Sequence, residues 1–353
     1  MRSWRGVIAE YRDRLPVTDA TPVVTLMEGG TPLIHSGVLS DRSGCEVWLK
    51  YEGANPTGSF KDRGMAVAMS AALADGAKAC VCASTGNTSA SMAAYAARVG
   101  LTSLVLVPDG YIAAGKLAQA LMHGAAVVRI RSGFDDCLVV ARQLADRYPV
   151  ALLNSVNPMR LEGQKTGAFE IVDRLGTAPD IHVLPVGNAG NVSAYWKGYL
   201  EYADAGGGGT PTMWGFQAAG AAPLVKGVPV ERPETAASAI RIGNPASWRL
   251  AEAARDASGG RFEAVADADI LQAQRDIARR DGVFVEPASA TGVAGLLALA
   301  DAGQVPAGAR IAVTLTGHGL KDTVTVLDAL EGIAPIVVEP DADAVADAVQ
   351  LAD

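Results

Sequence analysis

The sequence predicts an α/β fold of two lobes, with parallel sheets flanked by helices. Three observations carry that expectation. Short apolar runs alternate with helical patterns from about residue 45 onward. The links between them are short and contain glycine, which suits strand–helix–strand crossovers better than hairpins. A chain of 353 residues is long for one hydrophobic core and comfortable for two packed lobes. Composition agrees: 49% hydrophobic residues, 39 glycines and 5% aromatics fit an α/β chain with many tight turns, not a β-sandwich or a fibre.

Taken in order, residues 47–50 read as a strand and 60–73 as a helix. A strand over 79–83 leads into a helix over 88–98, closed by Gly100. Strands over 104–107 and 127–130 precede helices over 114–122 and 134–147. Further on, 181–186, 213–217 and 310–315 read as strands, with a helix over 192–202. The run Gly206 to Gly209 has no apolar strand leading into it and reads as a flexible surface connection. The acidic tail from Pro335 carries a weak helical pattern over 341–351. The smaller lobe is placed at about 55–148, with 1–54 and 149–353 in the larger one.

The net charge of −8 and the lack of any basic block argue against nucleic acid or an anionic membrane surface as partner. An anionic ligand must then be held by a few local cations and backbone N–H groups. Cys45, Cys80, Cys82 and Cys137 lack the neighbours a metal site needs, and read as reduced, structural thiols. The first residues, MRSWRGVIAEYRDRLPV, contain no apolar core of signal-peptide length, and no apolar run is long enough to span a membrane. The expectation is a soluble, cytoplasmic protein with no metal.

Four segments carry residues suited to chemistry. In Asn55 to Arg63, Pro56 and Gly58 make a turn and Ser59 is suited to cap the following helix. Lys61 then falls in the first helical turn, where the helix dipole and Arg63 disfavour an added positive charge. That lowers an amine's pKa and favours attack on an aldehyde. A surface lysine on an amphipathic helix fits the same pattern. Ser84-Thr85-Gly86-Asn87-Thr88-Ser89 follows a strand and opens a helix, either an anion cradle or an ordinary capped turn. Gly187-Asn188-Ala189-Gly190-Asn191 has the same position, with two glycines that let backbone close round a phosphate ester. It is neither a GxGxxG fingerprint nor a P-loop. Thr314 to Asp322 places Thr316 at the carboxyl edge of a strand, where open α/β sheets hold ligands, although threonine is also common in strands generally.

The order Ser-Phe-Lys, Thr-Gly-Asn, Gly-Asn-Ala-Gly-Asn, Thr-Leu-Thr-Gly resembles the fold-type II pyridoxal-phosphate enzymes, the tryptophan synthase β-like group. Within it, NPTGSFKDRG (55–64), STGNTSAS (84–91), NSVNPMRLEGQKT (154–166), LPVGNAGN (184–191), EPASA (286–290) and LTGHGLKD (315–322) resemble the compact bacterial threonine synthases. The resemblance implies pyridoxal 5′-phosphate as cofactor, joined to Lys61 as an imine. It implies that Asn87 contacts the ring hydroxyl, that Gly187, Asn188, Ala189, Gly190 and Asn191 hold the phosphate, and that Thr316 faces the ring nitrogen. The implied substrate is O-phospho-L-homoserine, converted with water to L-threonine and phosphate by γ-elimination and β-addition. Ser84, Thr85 and Thr88 would then hold its carboxylate or phosphate, and Asn154, Ser155 and Arg160 its phosphate. Arg160 suits bidentate phosphate binding; pairing with Glu162 is the other reading of it. Lys116 and Lys165 are weaker candidates that serve solvent or packing. A homodimer is expected from the family. Because GGTPL begins at residue 29, the S-adenosylmethionine-linked extension of the plant enzymes is expected to be absent. Thr88 and GNAGN stand where dehydratases carry a histidine and a longer glycine run. A threonine/serine dehydratase and a non-catalytic ligand-binding relative are the alternatives.

Overall fold

A computed structural model describes residues 3–110, 114–329 and 335–351. The chain falls into two compact units, Met1–Asp322 and Thr323–Asp353.

Among the described residues the first unit holds ten strands: β1 (Leu33–His35), β2 (Glu46–Tyr51), β3 (Ala79–Ala83), β4 (Thr102–Pro108), β5 (Ala126–Ile130), β6 (Val150–Leu152), β7 (Ile181–Pro185), β8 (Thr212–Ala218), β9 (Arg261–Val265) and β10 (Arg310–Leu315). They make two sheets, of order β1-β2-β10-β7-β8-β9 and β5-β4-β3-β6. Every pairing is parallel except the edge pair β1–β2. Parallel pairing requires crossovers, and the helices that supply them cover both faces. The strands show it residue by residue. In β10, Ile311 and Val313 pack into one cluster with Val47, Leu49 and Leu296, while Ala312 packs on the opposite side with Leu184 and Tyr199. In β3, Cys80 and Cys82 share one face with Val105, and Val81 joins Leu106 on the other.

The expected α/β layering is therefore present. The helices Ala114–Met122 and Phe134–Arg147 fall where the sequence pattern places them. Gly100 closes the helix Asn87–Val99 in the left-handed conformation. The smaller sheet extends to β6, beyond residue 148. The glycine run 206–209 lies at the surface, as expected, and two of its glycines pack closely. A Cβ on Gly207 would lie 2.1 Å from the Tyr202 ring, and one on Gly208 would lie 2.2 Å from Thr177 Oγ1. Glycine is needed there for close approach.

The second unit carries the helices Thr323–Ala329 and Ala342–Ala348. The latter is capped by the Asp341 side chain, which accepts from the Ala344 N–H at 3.0 Å.

Candidate active site

The turn before the helix Lys61–Ala74 is held by Asp62, whose buried carboxylate accepts from Thr57 N–H (2.7 Å), Thr57 Oγ1 (2.6 Å) and Ser91 Oγ (2.6 Å). Ser59 does not cap the helix; Phe60 stands at that position without a side-chain cap. Ser59 is instead drawn into a β-bridge with Gly317, and its Oγ only reaches the Lys61 N–H at 3.4 Å. The bridge ties the start of this helix to the segment after β10.

The half-buried Lys61 places its Nζ 4.0 Å from the centre of the Phe60 ring. Burial first, and then the nearby Arg160 charge, push its amine down to about 7; the Glu286 carboxylate opposes them. An amine near 7 is partly neutral at physiological pH and therefore nucleophilic. Arg63 is not the second cation responsible, because it is fully engaged elsewhere. Its guanidinium meets Glu52 (Nε 2.6 Å, Nη2 2.7 Å) and Glu170 (Nη1 2.5 Å, Nη2 2.7 Å). Lys50 completes that cluster at 2.6 Å from Glu170.

Arg160 lies on the helix Pro158–Leu175, which packs against the helix of Lys61 at two glycines. A Cβ on Gly163 would stand 2.1 Å from the Arg63 carbonyl oxygen, and one on Gly64 would stand 2.6 Å from that of Arg160. This close approach sinks Arg160 completely. Its Nη1 donates to the Leu153 carbonyl at 3.3 Å, while among the described residues Nε and Nη2 have no hydrogen-bond partner. Burial without an acid lowers its pKa to about 10. Glu162 does not pair with it, being bound to Lys165 and Lys197. A buried guanidinium with two idle nitrogens is costly unless an anion completes it.

Of the other expected site residues, Asn188 links two segments. Its Nδ2 donates to Ser155 Oγ at 2.5 Å and its Oδ1 accepts from the Ala246 N–H at 2.6 Å. Asn154 spends its amide on Ala83, accepting from its N–H at 3.0 Å and donating to its carbonyl at 2.9 Å. That fixes the exit of β3, where Ser84, Thr85 and Thr88 are half-buried at the start of the next helix. Ala189 adopts the left-handed conformation at φ 63° and turns the chain into the helix Gly190–Asp204. Asn191, in its first turn, is buried with both amide atoms unpartnered among the described residues. The buried Thr316 lies 3.0 Å, oxygen to oxygen, from Ser289 Oγ, which also accepts from the Gly317 N–H at 2.7 Å. Lys165 is buried between Glu162 and Glu201. Lys116 lies in the helix Ala114–Met122, with its side chain outside the described residues.

Reading the sequence assigned no role to two neighbours of this site. Glu286, at the N-cap of the helix Pro287–Asp301, receives the Asn87 Nδ2 at 3.0 and 3.1 Å. Ser289 follows one turn later. The only sequence signal for either was the segment EPASA itself.

These parts suit a phosphorylated aldehyde cofactor. The nucleophilic amine of Lys61, the unpartnered Asn191 at a helix start after a left-handed turn, and the Thr316 hydroxyl are the groups it needs. A sequence profile described as pyridoxal-phosphate dependent enzyme matches residues 24–317. The threonine synthase of Mycobacterium tuberculosis is 60% identical over 96% of this chain and 94% of its own length. That of Halalkalibacterium halodurans is 51% identical over 98% of each. Among solved structures, the processed threonine deaminase isoform 2 of Solanum lycopersicum superposes with a TM-score of 0.75 at 21% identity, covering 92% of this chain and 94% of that one. At that identity the likeness speaks for the shared fold alone. On these grounds the chain belongs to the pyridoxal-phosphate-dependent enzymes and, within them, to the threonine synthases.

Proposed function

We propose that Lys61 carries the cofactor and moves the protons in the reaction this chain catalyses, the conversion of O-phospho-L-homoserine and water to L-threonine and phosphate. One observation carries the reading: an amine held near 7 beside a buried arginine with two idle nitrogens. The first group suits proton transfer at carbon and the second suits a phosphate.

Pyridoxal 5′-phosphate, when bound, supplies a sink for the electrons left at the substrate's Cα. Lys61, as a free amine, takes the Cα proton and then a Cβ proton. Phosphate departs from Cγ, one proton is delivered to Cγ, the hydroxyl of water adds at Cβ, and a proton returns to Cα. Gly187 to Asn191 would hold the cofactor's phosphate, Asn87 its ring hydroxyl and Thr316 its ring nitrogen. A hydroxyl holds that nitrogen protonated less firmly than a carboxylate does, so fixed dipoles must share in stabilising the carbanion. Arg160 and Ser155 receive the substrate's phosphate. Asn154 orients the strand exit, and Ser84, Thr85 and Thr88 offer N–H and hydroxyl donors to the substrate's carboxylate.

The working unit is taken to be a homodimer in the cytoplasm. Among the described residues no helix is long and apolar enough to cross a membrane, and four unpaired, buried cysteines suit a reducing compartment. Sedimentation tests the oligomeric state.

Water enriched in heavy oxygen tests the reaction. Elimination breaks the Cγ–O bond, so all four oxygens stay on phosphate and the label enters only the threonine hydroxyl. Labelled phosphate with homoserine would mean attack at phosphorus. Keto acid formed efficiently from free threonine would mean a dehydratase.

A further inference from the structure

Glu286 is a buried acid inside the site that no step above uses. Its place is set by backbone. Its N–H donates to the Gly317 carbonyl at 3.1 Å, and its own carbonyl accepts from the Ser289 N–H at 2.9 Å. A Cβ on Gly317 would lie 2.5 Å from the carboxylate, so the glycine leaves room for it. Both carboxylate oxygens accept from one atom, Nδ2 of Asn87, at 3.0 and 3.1 Å. The two N–H bonds of a planar amide diverge far more widely than two carboxylate oxygens do at that distance. One N–H therefore serves both oxygens, and the second stays free.

We propose that Glu286 is a positioning residue for the cofactor, holding the Asn87 amide so that its second N–H donates to the cofactor's ring oxygen. The proposal rests on the reading that Asn87 faces that oxygen. An amide can present either its oxygen or its nitrogen, and those two ends have opposite effects on a ring oxygen. A donor favours the anion and an acceptor favours the hydroxyl. A carboxylate behind the amide removes the ambiguity, since it accepts only N–H. Burial pushes Glu286 up to about 7, against the Asn87 bond and the charges of Lys321 and Lys61, and with Asp322 raising it further. The hold is consequently strongest above that pH.

The test is a pH titration of the holoenzyme's visible absorbance, which reports protonation of the Lys61–cofactor linkage. Losing the linkage proton leaves the ring oxygen's negative charge uncompensated, so a donor to that oxygen favours the deprotonated linkage and losing it raises the midpoint. Asn87→Ala is expected to raise it by about one unit and Glu286→Gln by about half that, because a neutral amide holds Asn87 less strongly than a carboxylate, and against the lowering that loss of the Glu286 charge beside Lys61 would itself bring. The double variant should rise no further than Asn87→Ala alone. A shift in Asn87→Ala with none in Glu286→Gln overturns the role of Glu286 and leaves the Asn87 reading intact. Additive shifts overturn it as well, because Glu286 would then act without Asn87. No shift in Asn87→Ala removes the underlying reading, and the proposal with it. Should Glu286→Gln not retain cofactor, Glu286→Asp decides. Its shorter side chain withdraws from Asn87, so a shift toward that of Asn87→Ala supports the proposal and an unchanged midpoint overturns it.

Discussion

Two arginines on facing helices lie equally deep, Arg63 at 1% exposure and Arg160 fully buried, yet they do opposite work. Arg63 meets two carboxylates through four short contacts, with Thr31 and Thr166 hydroxyls beside them at 3.1 and 3.2 Å. Arg160 has one carbonyl and two idle nitrogens. The first is a closed cluster that ties together the segments around 31, 50, 52 and 170. The second is open, and its depressed pKa records the lack of an anion. Depth therefore does not separate frame from function here. Completion of the hydrogen bonds does.

Breaking the closed cluster should have the largest effect. Arg63→Leu leaves Glu52 and Glu170 buried with only Lys50 to balance them, and should cost about 3–5 kcal/mol in denaturant unfolding. A loss below about 1 kcal/mol would mean that the cluster relaxes.

The acids of the two regions should respond to pH with opposite sign. Glu170 is held down to about 2, mainly by Arg63 and Lys50, which outweigh its burial. Its share of stability is present above its unfolded pKa of 4.5 and is lost as pH falls toward 2. Glu286 is raised to about 7 by burial, so its share is present below 4.5 and is lost as pH rises to 7, at most about 3 kcal/mol. Melting of the apoprotein across pH 4.5–7 should therefore flatten in Glu286→Gln. An unchanged slope would place the titration elsewhere.

Where the two helices touch, Gly163→Ala drives a methyl to 2.1 Å from the Arg63 carbonyl. About 1–3 kcal/mol is the natural scale for such overpacking, with Arg160 shifted in consequence. Wild-type stability and kinetics together would show that the helices can separate freely. The smallest effect is expected at the ring nitrogen. Thr316→Val removes one neutral hydrogen bond, about 0.5–1.5 kcal/mol, so turnover should fall roughly 2- to 13-fold with the fold intact. Unchanged kinetics would reduce Thr316 to a residue just past β10 that pairs with Ser289.

The same contrast explains what could be read from the sequence. Strand–helix alternation exposed most of the fold because parallel strands buried on both faces leave continuous apolar runs, as in 79–83 and 310–315. The three-residue strands β1 and β6 are shorter than any window in which a period can be seen. Lys61 stood out because its turn, helix start and neighbours are local in the chain. Its depressed pKa has non-local causes, burial first and then Arg160, which lies 99 residues away in sequence (160 − 61). Spacing pointed instead to adjacent Arg63, whose acids at 52 and 170 carry no local mark. Glu286 escaped for the same reason, since only the folded chain brings it to Asn87.

Arg160→Leu, read for both stability and the specificity constant toward O-phospho-L-homoserine, tests the contrast most directly. An open arginine kept for a phosphate should cost roughly 10- to 150-fold in kcat/KM, the scale of one charge-assisted bond of about 1.5–3 kcal/mol. A substrate analogue lacking the phosphate should lose far less, only what the weaker push on the Lys61 amine costs, and the melting temperature should hold or rise because an unpaired buried charge is gone. Equal losses on both compounds, accompanied by a fall in melting temperature like that of Arg63→Leu, would contradict the phosphate role and make Arg160 part of the frame.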